Sequence, residues 1–395
     1  MTFRILKFLL KKFISSKSIL IFFEGKEYLI DNNTEPIILK INQKKFLIKL
    51  FYAPSLVLTE GYMEKYYELP NSSFYDFSEL LIENYNLYLE KFSRSIFSNF
   101  FLIINPLFQL NFLKISKSNV ASHYDLSDKL YELFLDKTRQ YSCAYFESEK
   151  DSLYQAQLNK MDRLADKLHL KKNDKVLDIG CGWGSLSRHF NSNFGCAVKG
   201  ISLSEEQIRF CLKNKKKAKN HSELEYFLQD YRIETEKYDK IVSVGMFEHV
   251  GKPFYRTYFN KINDLLSEDG IAVVHTIGNV RSPKLTPAFI RKYIFPGGYI
   301  PALSEIMPAV EKSGLFISDI EVLRLHYANT IKYWNKNFHN VKDQVRELYD
   351  DRFIRMWEAY LNLSELSFRK GDNVVFQLVL TKKRDSFPIV RKRIN

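Results

Sequence analysis

The chain of 395 residues is longer than one average domain requires, so its length favours a large domain accompanied by a smaller one. Lys and Arg outnumber Asp and Glu by 59 to 46, and the resulting net charge of +13 favours an anionic partner, either nucleic acid or an acidic lipid surface. The four cysteines show no CxxC pair and no Cys/His ligand spacing, which disfavours a structural zinc site and indicates a reducing cytoplasm.

The N-terminal segment, residues 1–23, mixes apolar and basic residues. Lysines interrupt its apolar run, so we expect it to be too short to span a bilayer, and no small-residue cleavage site follows that would indicate a signal peptide. On a helix its apolar and basic residues separate into two faces: Leu6, Leu9, Leu10 and Phe13 against Arg4, Lys7 and Lys11. Such a helix either lies on an anionic membrane or packs on its own domain, and the sequence leaves both interpretations open.

The chain divides by pattern into two parts. Residues 20–60 alternate short apolar runs with turn residues and predict a small β-rich or mixed unit, and residues 76–104 predict a helix. A polar stretch that contains Ser and Asn, near 105–122, predicts a boundary. We therefore expect a smaller accessory domain over residues 1–115 and a larger domain over residues 116–395.

From residue 123 onward, apolar segments of the β type alternate with amphipathic helices. The expected strands fall near 175–179, 197–201, 224–228, 239–244, 271–276, 316–323 and 373–382. Alternation of strands with helices predicts an α/β fold whose mostly parallel sheet is covered on both faces. The last strand follows a long helical stretch, and seven strands in this arrangement indicate a doubly wound sheet.

The turn after the first of these strands carries the sequence KVLDIGCGWG. Gly180, Gly182 and Gly184 let the backbone approach a ligand without Cβ clashes, and the turn runs from a strand into a helix. A dinucleotide fingerprint requires glycine at position 185, where Ser185 stands. Asp178 precedes the turn, and its carboxylate can stabilise a cationic group of a cofactor. The spacing favours a cradle for S-adenosylmethionine; a tight turn without a ligand is the alternative.

Polar residues follow the next two strands. The stretch GISLSEEQ offers Ser202, Ser204 and Gln207 for the ribose hydroxyls, at a place where many methyltransferases have an acidic residue. The stretch LQDYR offers Asp230 and Tyr231 to hold and cover an adenine ring. Each is a common surface residue in isolation. Their positions at successive strand ends favour a binding role, because α/β sheets bind ligands at the carboxyl edge of their strands.

A series of strings occurs in order along the chain: HYDLSDKLYELFLD, RQYSCAYF, VLDIGCGWG, LQDYR, VSVGMFEHVG, VVHTIGN and KYIFPGGYIP. Over roughly residues 116–382 they resemble the cyclopropane-fatty-acyl-phospholipid synthase family, which includes the mycolic acid cyclopropane synthases. Residues 20–70 also resemble the N-terminal domain of the phospholipid-acting members, which the mycolate-modifying members generally lack. The resemblance implies a seven-stranded, doubly wound, Rossmann-like class I methyltransferase sheet with a smaller N-terminal α+β domain that is lipid- or membrane-associated.

The resemblance also implies two sets of site residues. Those expected to contact S-adenosylmethionine are Tyr141, Ser142, Gly180, Gly182, Gly184, Ser202, Leu203, Ser204, Gln207, Asp230 and Tyr231. A bicarbonate ion is expected near the methyl group of the cofactor. Its ligands map onto Cys143, Glu248, His275, Ile277 and Tyr327, with backbone N–H groups acting at Cys143 and Ile277. The residues around Tyr327 depart from the family motif.

The chemistry that the resemblance implies is that of a cyclopropane synthase. In the family's reaction, the cis double bond of an unsaturated phospholipid acyl chain attacks the methyl carbon of the cofactor, and loss of a proton from that carbon closes the ring. Bicarbonate held by fixed donors acts as the general base. Other fates of the carbocation lead to a hydroxyl group or to a branched chain. A related fatty-acyl C-methyltransferase, with a methyl- or methylene-branched product, is therefore the alternative.

Several of these positions have simpler explanations when they are considered singly. Glu248 can be a helix N-terminal carboxylate, and His275 can be a satisfied core histidine. We expect the adjacent His249 to be structural. Ser202 and Ala302 stand where the family usually has threonine and serine, and neither departure disturbs the chemistry.

The implied substrate places the protein at a membrane. The net charge of +13 and the basic N-terminus suit adhesion to an anionic leaflet, so we expect a cytoplasmic enzyme that associates peripherally with the inner face of the membrane. Within residues 280–312, aromatic residues such as Phe289 and Tyr293 predict an apolar cover that excludes water from the site. The family suggests a homodimer.

Two other classes of protein compete with this interpretation. The positive charge and the cofactor fold suggest an RNA methyltransferase, but no RNA-binding module is visible, so no nucleic-acid partner is expected. A catalytically inactive lipid-binding protein is the other class. The intact glycine turn, together with Glu248 and His275, argues against it.

Overall fold

The structure, a computed structural model, describes residues 10–11, 13–50, 53–91 and 128–389. Contacts divide the chain into two compact units, each of them discontinuous in sequence. The first unit contains the described residues up to 91, with 287–294 and 331–372. The second contains 128–286, 295–330 and 373–389. The predicted boundary between residues 115 and 116 and most of the predicted N-terminal amphipathic helix lie outside the described residues, so both stay predictions.

The first unit is built on a four-stranded sheet in the order β2-β1-β3-β4. Its strands are β1 (Ile19–Phe23), β2 (Lys26–Ile30), β3 (Ile37–Ile41) and β4 (Tyr67–Glu68). β1 pairs antiparallel with β2 and parallel with β3, and β3 pairs antiparallel with β4. Alternate side chains of β1 and β3 are buried, which is the pattern of a sheet that packs one face on a core.

Helices from two distant parts of the sequence belong to the first unit. They include α1 (Lys44–Leu50), α2 (Pro54–Met63), α3 (Phe74–Lys91), α11 (Lys342–Arg346) and α12 (Asp351–Arg369). α12 packs against α2 and α3. Tyr62 OH donates to Glu358 Oε2 at 3.0 Å, and Arg352 Nε donates to Glu64 Oε1 at 2.6 Å. The predicted smaller α+β unit is therefore confirmed, but helices from late in the chain complete it.

The segment expected to form an apolar cover is shared between the two units. Residues 287–294, which contain a π-helical turn at Ile290–Ile294, belong to the first unit. There, Lys292 Nζ and Tyr293 OH both donate to Glu60 Oε1 at 2.7 Å. The residues that follow, from 295 to 330, belong to the second unit.

The second unit contains a seven-stranded sheet in the order β10-β11-β9-β8-β5-β6-β7. Its strands are β5 (Lys175–Ile179), β6 (Ala197–Ser202), β7 (Leu224–Leu228), β8 (Tyr238–Val244), β9 (Leu266–Asn279), β10 (Phe316–Leu323) and β11 (Asn373–Thr381). β5 to β9 pair in parallel, whereas β11 lies antiparallel between β9 and β10. The predicted α/β fold with a mostly parallel, seven-stranded sheet is confirmed.

Helices flank both faces of this sheet. Those of the second unit include α4 (Asp128–Phe134), α5 (Leu153–Leu168), α6 (Ser185–Phe194), α7 (Glu205–Asn214), α8 (Tyr255–Leu265) and α9 (Leu303–Glu311); α10 (His326–Asn340) follows β10. In β5, Val176 packs in one apolar cluster with residues of α5, α6 and α7. Leu177 and Ile179 pack in a second cluster with residues of α8 and α9. Successive strand side chains point to opposite faces, so β5 has apolar side chains on both faces because both faces are covered.

Two expectations from composition concern the cysteines and the membrane. All four cysteines have free, buried thiols, and Cys181, Cys196 and Cys211 lie in one core cluster of the second unit. Among the described residues, no helix has the length and apolar character that crossing a bilayer requires.

The N-cap of α12 provides a test of how this late helix is held. Asp350 accepts a hydrogen bond from the Phe353 backbone N–H at 2.7 Å. We expect Asp350→Ala to lower the free energy of unfolding by about 1 kcal/mol, because an orphan N–H of the first turn loses its partner. Asp343→Ala is the control, since the side chain of Asp343 is 95% exposed. Equal urea midpoints for the two variants would contradict the capping role.

Candidate active site

The second unit contains a cleft at the carboxyl edge of its parallel strands. The cleft encloses about 1140 Å³ of atom-free space, part of it open to solvent. The loops after β5, β6, β7 and β8 line it, together with the segment between α4 and α5. Ten of the predicted cofactor residues lie on its wall: Tyr141, Ser142, Asp178, Gly180, Gly182, Ser202, Leu203, Gln207, Asp230 and Tyr231. The predicted residues Gly184 and Ser204 are not among the lining residues and are the N-cap residues of α6 and α7.

The glycine turn after β5 requires residues without a Cβ. Gly180, Gly182 and Gly184 have φ angles of 82°, 55° and 72°, in the left-handed region that other residues rarely adopt. The N–H groups of Gly180 and Cys181 both donate to Ile201 O, at 2.9 and 3.0 Å, which holds the turn against the end of β6.

The two outer glycines of the turn differ from Gly182 in their surroundings. A Cβ on Gly184 would lie 2.7 Å from both Cys211 Sγ and Tyr226 OH, and one on Gly180 would lie 3.0 Å from the Met246 side chain. A Cβ on Gly182 would meet no atom within 4 Å. Gly184 therefore serves close packing, whereas Gly182 leaves open space on the wall of the cleft.

Asp178 places a carboxyl group at the base of the cleft. It is 1% exposed, and Ser187 Oγ donates to its Oδ2 at 2.6 Å. Burial raises the pKa of Asp178 to about 6, while the Ser187 hydrogen bond and the charge of Lys160 oppose that rise. The group is therefore mostly ionised at neutral pH, and a cation bound beside it would compensate a buried negative charge.

Residues at the end of β6 and just after it form the N-cap of α7. Ser204 Oγ accepts from the Gln207 backbone N–H at 3.3 Å, which is an N-cap interaction. Ser202 Oγ accepts from Ser204 N at 3.2 Å and donates to Gln207 Oε1 at 2.9 Å. Ser202, Leu203 and Gln207 line the cleft, and Ser204 supports them from the cap position.

Residues after β7 include a charged neighbour that the sequence analysis did not select. Arg232 donates from Nε to Asp230 Oδ1 at 2.9 Å and from Nη2 to Asp230 Oδ2 at 2.7 Å. Both residues line the cleft, so the carboxylate of Asp230 is already paired. Tyr231 also lines it and packs edge-on against Tyr258, with ring centroids 5.3 Å apart.

Further lining residues lie inside the motifs but were not selected from the sequence. Gln140 Nε2 donates to Ser185 Oγ at 2.5 Å, and Trp183 Nε1 donates to Asp128 Oδ1 at 3.0 Å. His249, expected to be structural, also lines the cleft, and burial lowers its pKa to about 4. Each of these three residues is next in sequence to a predicted site residue: Tyr141, Gly182 or Glu248. That proximity was the signal available in the sequence, but it does not distinguish residues that line the cleft from residues of the core.

Two of the residues predicted to hold an anion are in direct contact. Glu248 lies in a 3-10 turn that follows β8, and Ile277 lies on β9. The Ile277 N–H donates to Glu248 Oε1 at 2.6 Å. The other carboxyl oxygen, Oε2, is buried and has no hydrogen-bond partner among the described residues. Burial raises the pKa of Glu248 to about 7.

His275 lies on β9, opposite Val244 at the end of β8. Its Nδ1 lies 3.1 Å from Gln377 Nε2, which is a donor, so the ring is assigned with its proton on Nε2. Burial lowers the pKa of His275 well below its usual value, which keeps the imidazole neutral. The resulting ring can donate one hydrogen bond from Nε2 without adding positive charge.

Cys143 and Tyr327 are connected through neighbouring residues. Cys143 is buried, and burial raises the pKa of its thiol, so the nucleophilic thiolate is disfavoured. The next residue, Ala144, donates its N–H to Thr330 Oγ1 at 3.0 Å. Thr330 lies on α10, one turn beyond Tyr327. None of the five predicted anion ligands is among the residues that line the cleft.

The sequence model of a protein family, described as mycolic acid cyclopropane synthetase, matches residues 113–378 of the chain. The chain belongs to the mycolic acid cyclopropane synthetase family. The resemblance expected from the motifs is therefore confirmed.

Two relatives extend the comparison. The cyclopropane-fatty-acyl-phospholipid synthase of Escherichia coli K12 is 36% identical over 229 residues, which are 57% of this chain and 58% of that protein. A probable fatty acid methyltransferase of Pseudomonas putida is 36% identical over 234 residues, 57% of this chain and 59% of that protein. The matched part thus spans less than two thirds of the length of these relatives.

A crystal structure of mycolic acid cyclopropane synthase CmaA1, complexed with SAH and CTAB, has a similar fold. It is 31% identical to this chain with a TM-score of 0.64, and the match covers 67% of this chain and 97% of that one. The second unit therefore has the class I methyltransferase fold that the sequence predicted.

The glycine turn provides a paired test. We expect Gly182→Ala to lower the free energy of unfolding by about 1 kcal/mol, because alanine adopts the left-handed region at that cost. Gly184→Ala should cost about 3 kcal/mol or more, since its Cβ would also overlap Cys211 and Tyr226. Thermal unfolding of both variants measures the difference. Equal losses would show that close packing at Gly184 is not what the turn requires.

Proposed function

We propose that the protein transfers a one-carbon unit from S-adenosylmethionine to the cis double bond of an unsaturated phospholipid acyl chain and closes it into a cyclopropane ring. Bicarbonate bound by residues of the second unit acts as the general base. The observation that carries the proposal is the buried carboxyl of Glu248, which keeps one oxygen without a partner at the sheet edge that also bears the cleft. Transfer of a methyl group to an alkene carbon leaves a carbocation that must lose a C–H proton, so the reaction requires a base held beside the added carbon.

The cleft fits the cofactor in shape and charge. Glycines with positive φ angles leave its wall open, so that a ligand can approach the backbone closely. The loops after β5, β6 and β7 contribute to the cleft. The buried Asp178 has a negative charge at neutral pH that a cationic cofactor would balance. The related CmaA1 structure contains SAH, the demethylated form of the same cofactor. In the proposal, Asp230 and Tyr231 hold the adenosine end, with Arg232 orienting Asp230.

The residues around Glu248 fit a bicarbonate ion, which offers one O–H donor and several acceptor oxygens. Glu248 Oε2 is available to accept the O–H of the ion. The neutral His275 donates from Nε2. The Ile277 N–H donates to Glu248, so in the proposal Ile277 orients that carboxylate instead of binding the ion directly. The Cys143 backbone N–H and the Tyr327 hydroxyl complete the proposed set.

These residues divide the catalytic work in a definite way. When bound, S-adenosylmethionine would supply an electrophilic methyl carbon. Transfer of that carbon to the alkene would break its bond to sulfur, release SAH and leave a carbocation on the acyl chain. A base beside the added carbon must then remove its proton. Glu248 and His275 would hold that base in one orientation, and the neutrality of His275 avoids a like charge next to the carbocation. The buried setting excludes water that would otherwise capture the cation as an alcohol.

A second candidate is a fatty-acyl C-methyltransferase that gives a methyl- or methylene-branched product. The observation that favours it is the Pseudomonas putida relative, named a probable fatty acid methyltransferase, whose identity of 36% equals that of the Escherichia coli synthase. The two activities share the addition to the alkene and differ in the fate of the carbocation. Loss of a proton from the added carbon closes the ring, whereas a hydride shift from the methyl-bearing carbon to the cationic carbon before that loss gives a methylene branch. A methyl branch also requires a reductant that supplies hydride.

The partners in the proposal are an unsaturated phospholipid and the anionic membrane surface that contains it, with the enzyme cytoplasmic and peripheral at the inner face. The net charge of +13 supports attraction to such a surface. In the first unit, α1 presents exposed Lys44, Lys45 and Lys49 beside Ile48, which is 48% exposed. A homodimer is also part of the proposal, and nucleic acid is not.

The product of the reaction tests the proposal directly. Purified protein is incubated with S-adenosylmethionine and vesicles of unsaturated phosphatidylethanolamine and phosphatidylglycerol, and the fatty acids are analysed by mass spectrometry before and after hydrogenation. We expect a product that gains CH₂ and takes up no hydrogen under conditions that saturate an alkene. A CH₂ gain followed by uptake of hydrogen would identify the methylene-branched alternative. Saturated phospholipid vesicles are the control and should yield no product.

A substitution at Glu248 tests whether this carboxylate holds the proposed base. We expect Glu248→Gln to lower the rate of ring formation by about a hundredfold or more, the order of a general-base contribution, while SAH affinity changes little. The pKa of about 7 predicts that wild-type activity falls as the pH decreases through 7, because protonation removes the carboxylate, and that the variant lacks this limb.

The matched control for this substitution is Glu268→Gln. Glu268 lies near the start of β9, and its side chain is 70% exposed in an ion pair with Lys382. It should retain wild-type activity and the same pH profile. Full activity in Glu248→Gln would remove Glu248 from the mechanism.

A further inference from the structure

A buried ammonium group lies next to the wall of the cleft. Lys160 is on α5 and is 0% exposed, although lysine side chains are rarely buried in full. Removing a charge from water is costly, so a buried lysine persists only where other groups compensate its charge and its hydrogen bonds. Lys160 is not itself a lining residue, but its partners are.

The ammonium group binds two residues of the segment that lines the cleft between α4 and α5. Its Nζ donates to Ser142 Oγ at 2.9 Å and to Gln140 Oε1. Gln140 in turn donates from Nε2 to Ser185 Oγ at 2.5 Å. Lysine has donors and no acceptor, so this contact requires Gln140 to present its oxygen to Lys160 and its NH₂ group to Ser185. The hydrogen bonds thus connect α5 to the first residue of α6 through the wall of the cleft.

The charges that face Lys160 compensate it as a cation. Burial disfavours the charged form of Lys160, while the carboxylates of Asp136 and Asp178 favour it. The balance lowers the pKa of Lys160 to about 8, so the group is mostly protonated at neutral pH and loses its charge at mildly alkaline pH. The same charge stabilises the ionised form of Asp178, which lines the cleft.

We propose that Lys160 is a positioning residue for the cofactor: its ammonium group holds Gln140 and Ser142 in the conformation that forms the wall of the cleft, and so sets the affinity of the protein for the adenosyl ligand. The inference rests on the proposed function in that S-adenosylmethionine occupies this cleft. It assigns Lys160 no contact with the reacting atoms.

Lys167 provides a matched comparison. It lies on the same helix α5 and its side chain is 6% exposed. Its Nζ lies 2.6 Å from Glu321 Oε2 on β10, and it neither lines the cleft nor bonds a residue that does. The two lysines therefore share a helix and are both buried, and they differ in whether their partners line the cleft.

The experiment measures SAH binding to the full-length protein by isothermal titration calorimetry at pH 7, without lipid. We expect Lys160→Met to weaken SAH binding by about tenfold to a hundredfold, the range for loss of hydrogen bonds to a charged donor. Lys167→Met should bind SAH within about twofold of wild type, although both variants lose thermal stability. Wild-type affinity in Lys160→Met, or an equal loss in Lys167→Met, would overturn the proposal.

The pH dependence of binding gives a readout that a purely structural role does not change. Wild-type affinity for SAH should fall as the pH rises from about 7 to 9.5, because Lys160 loses its proton near pH 8. Lys160→Arg keeps the positive charge over this range, so its affinity should fall less. The amino group of SAH also titrates, but its effect on affinity is the same for both proteins and therefore cancels when their pH profiles are compared. This arm needs only a charge-retaining variant, so it applies even if Lys160→Met does not fold. Parallel pH profiles for wild type and Lys160→Arg would overturn the proposal.

This experiment is separable from the test of the proposed function. SAH binding that depends on Lys160, with no cyclopropane product from lipid vesicles, would overturn the proposed activity and leave the positioning role intact. Cyclopropane formation with SAH affinity independent of Lys160 would do the reverse.

Discussion

Desolvation at the carboxyl edge of the seven-stranded sheet is the constraint on which the chemistry of this protein depends. Four titratable groups are each at most 8% exposed: Asp178, Lys160, Glu248 and His275. Burial favours the neutral form of each, so it raises the pKa of the two acids and lowers the pKa of the lysine and the histidine. The two acids and the lysine have pKa values of about 6, 7 and 8, so small changes in their surroundings decide their charge near neutral pH. A cationic cofactor and a bound anion would each satisfy part of this buried charge.

The backbone of the site follows from one turn and its supports. The left-handed glycines after β5 turn the chain away from the sheet, and two N–H groups of that turn share Ile201 O at the end of β6. Tyr226 OH donates to Gly184 O at 2.9 Å, so β7 also supports the turn. The wall opposite belongs to the segment between α4 and α5, where Lys160 and Ser185 hold Gln140 from two sides. The cleft is thus formed by parts of the chain that are far apart in sequence.

Much of the fold was predictable because its signals are local. A short, mostly apolar run such as KVLDI indicates a strand covered on both faces, and the alternation of such runs with amphipathic helices indicates the parallel sheet. The glycine turn was equally predictable from the spacing of its glycines, since a positive φ angle favours glycine regardless of the rest of the fold. The membership of the first unit was not predictable in this way. α12 is an ordinary amphipathic helix, and only its packing against α2 and α3 places it there.

By itself, the sequence determined the sheet of the second unit and the glycine turn, and it predicted which residues along the chain bind the cofactor and the anion. Only the tertiary structure decided which of these residues meet. It bonded Ile277 to Glu248 and gave His275 a partner in Gln377 from a strand about a hundred residues away. It also distinguished Lys160 from the other lysines of the chain. The physical reason is that strand and helix periodicity and φ preference depend on neighbours in sequence, whereas burial, hydrogen-bond partners and pKa shifts depend on what packing brings together.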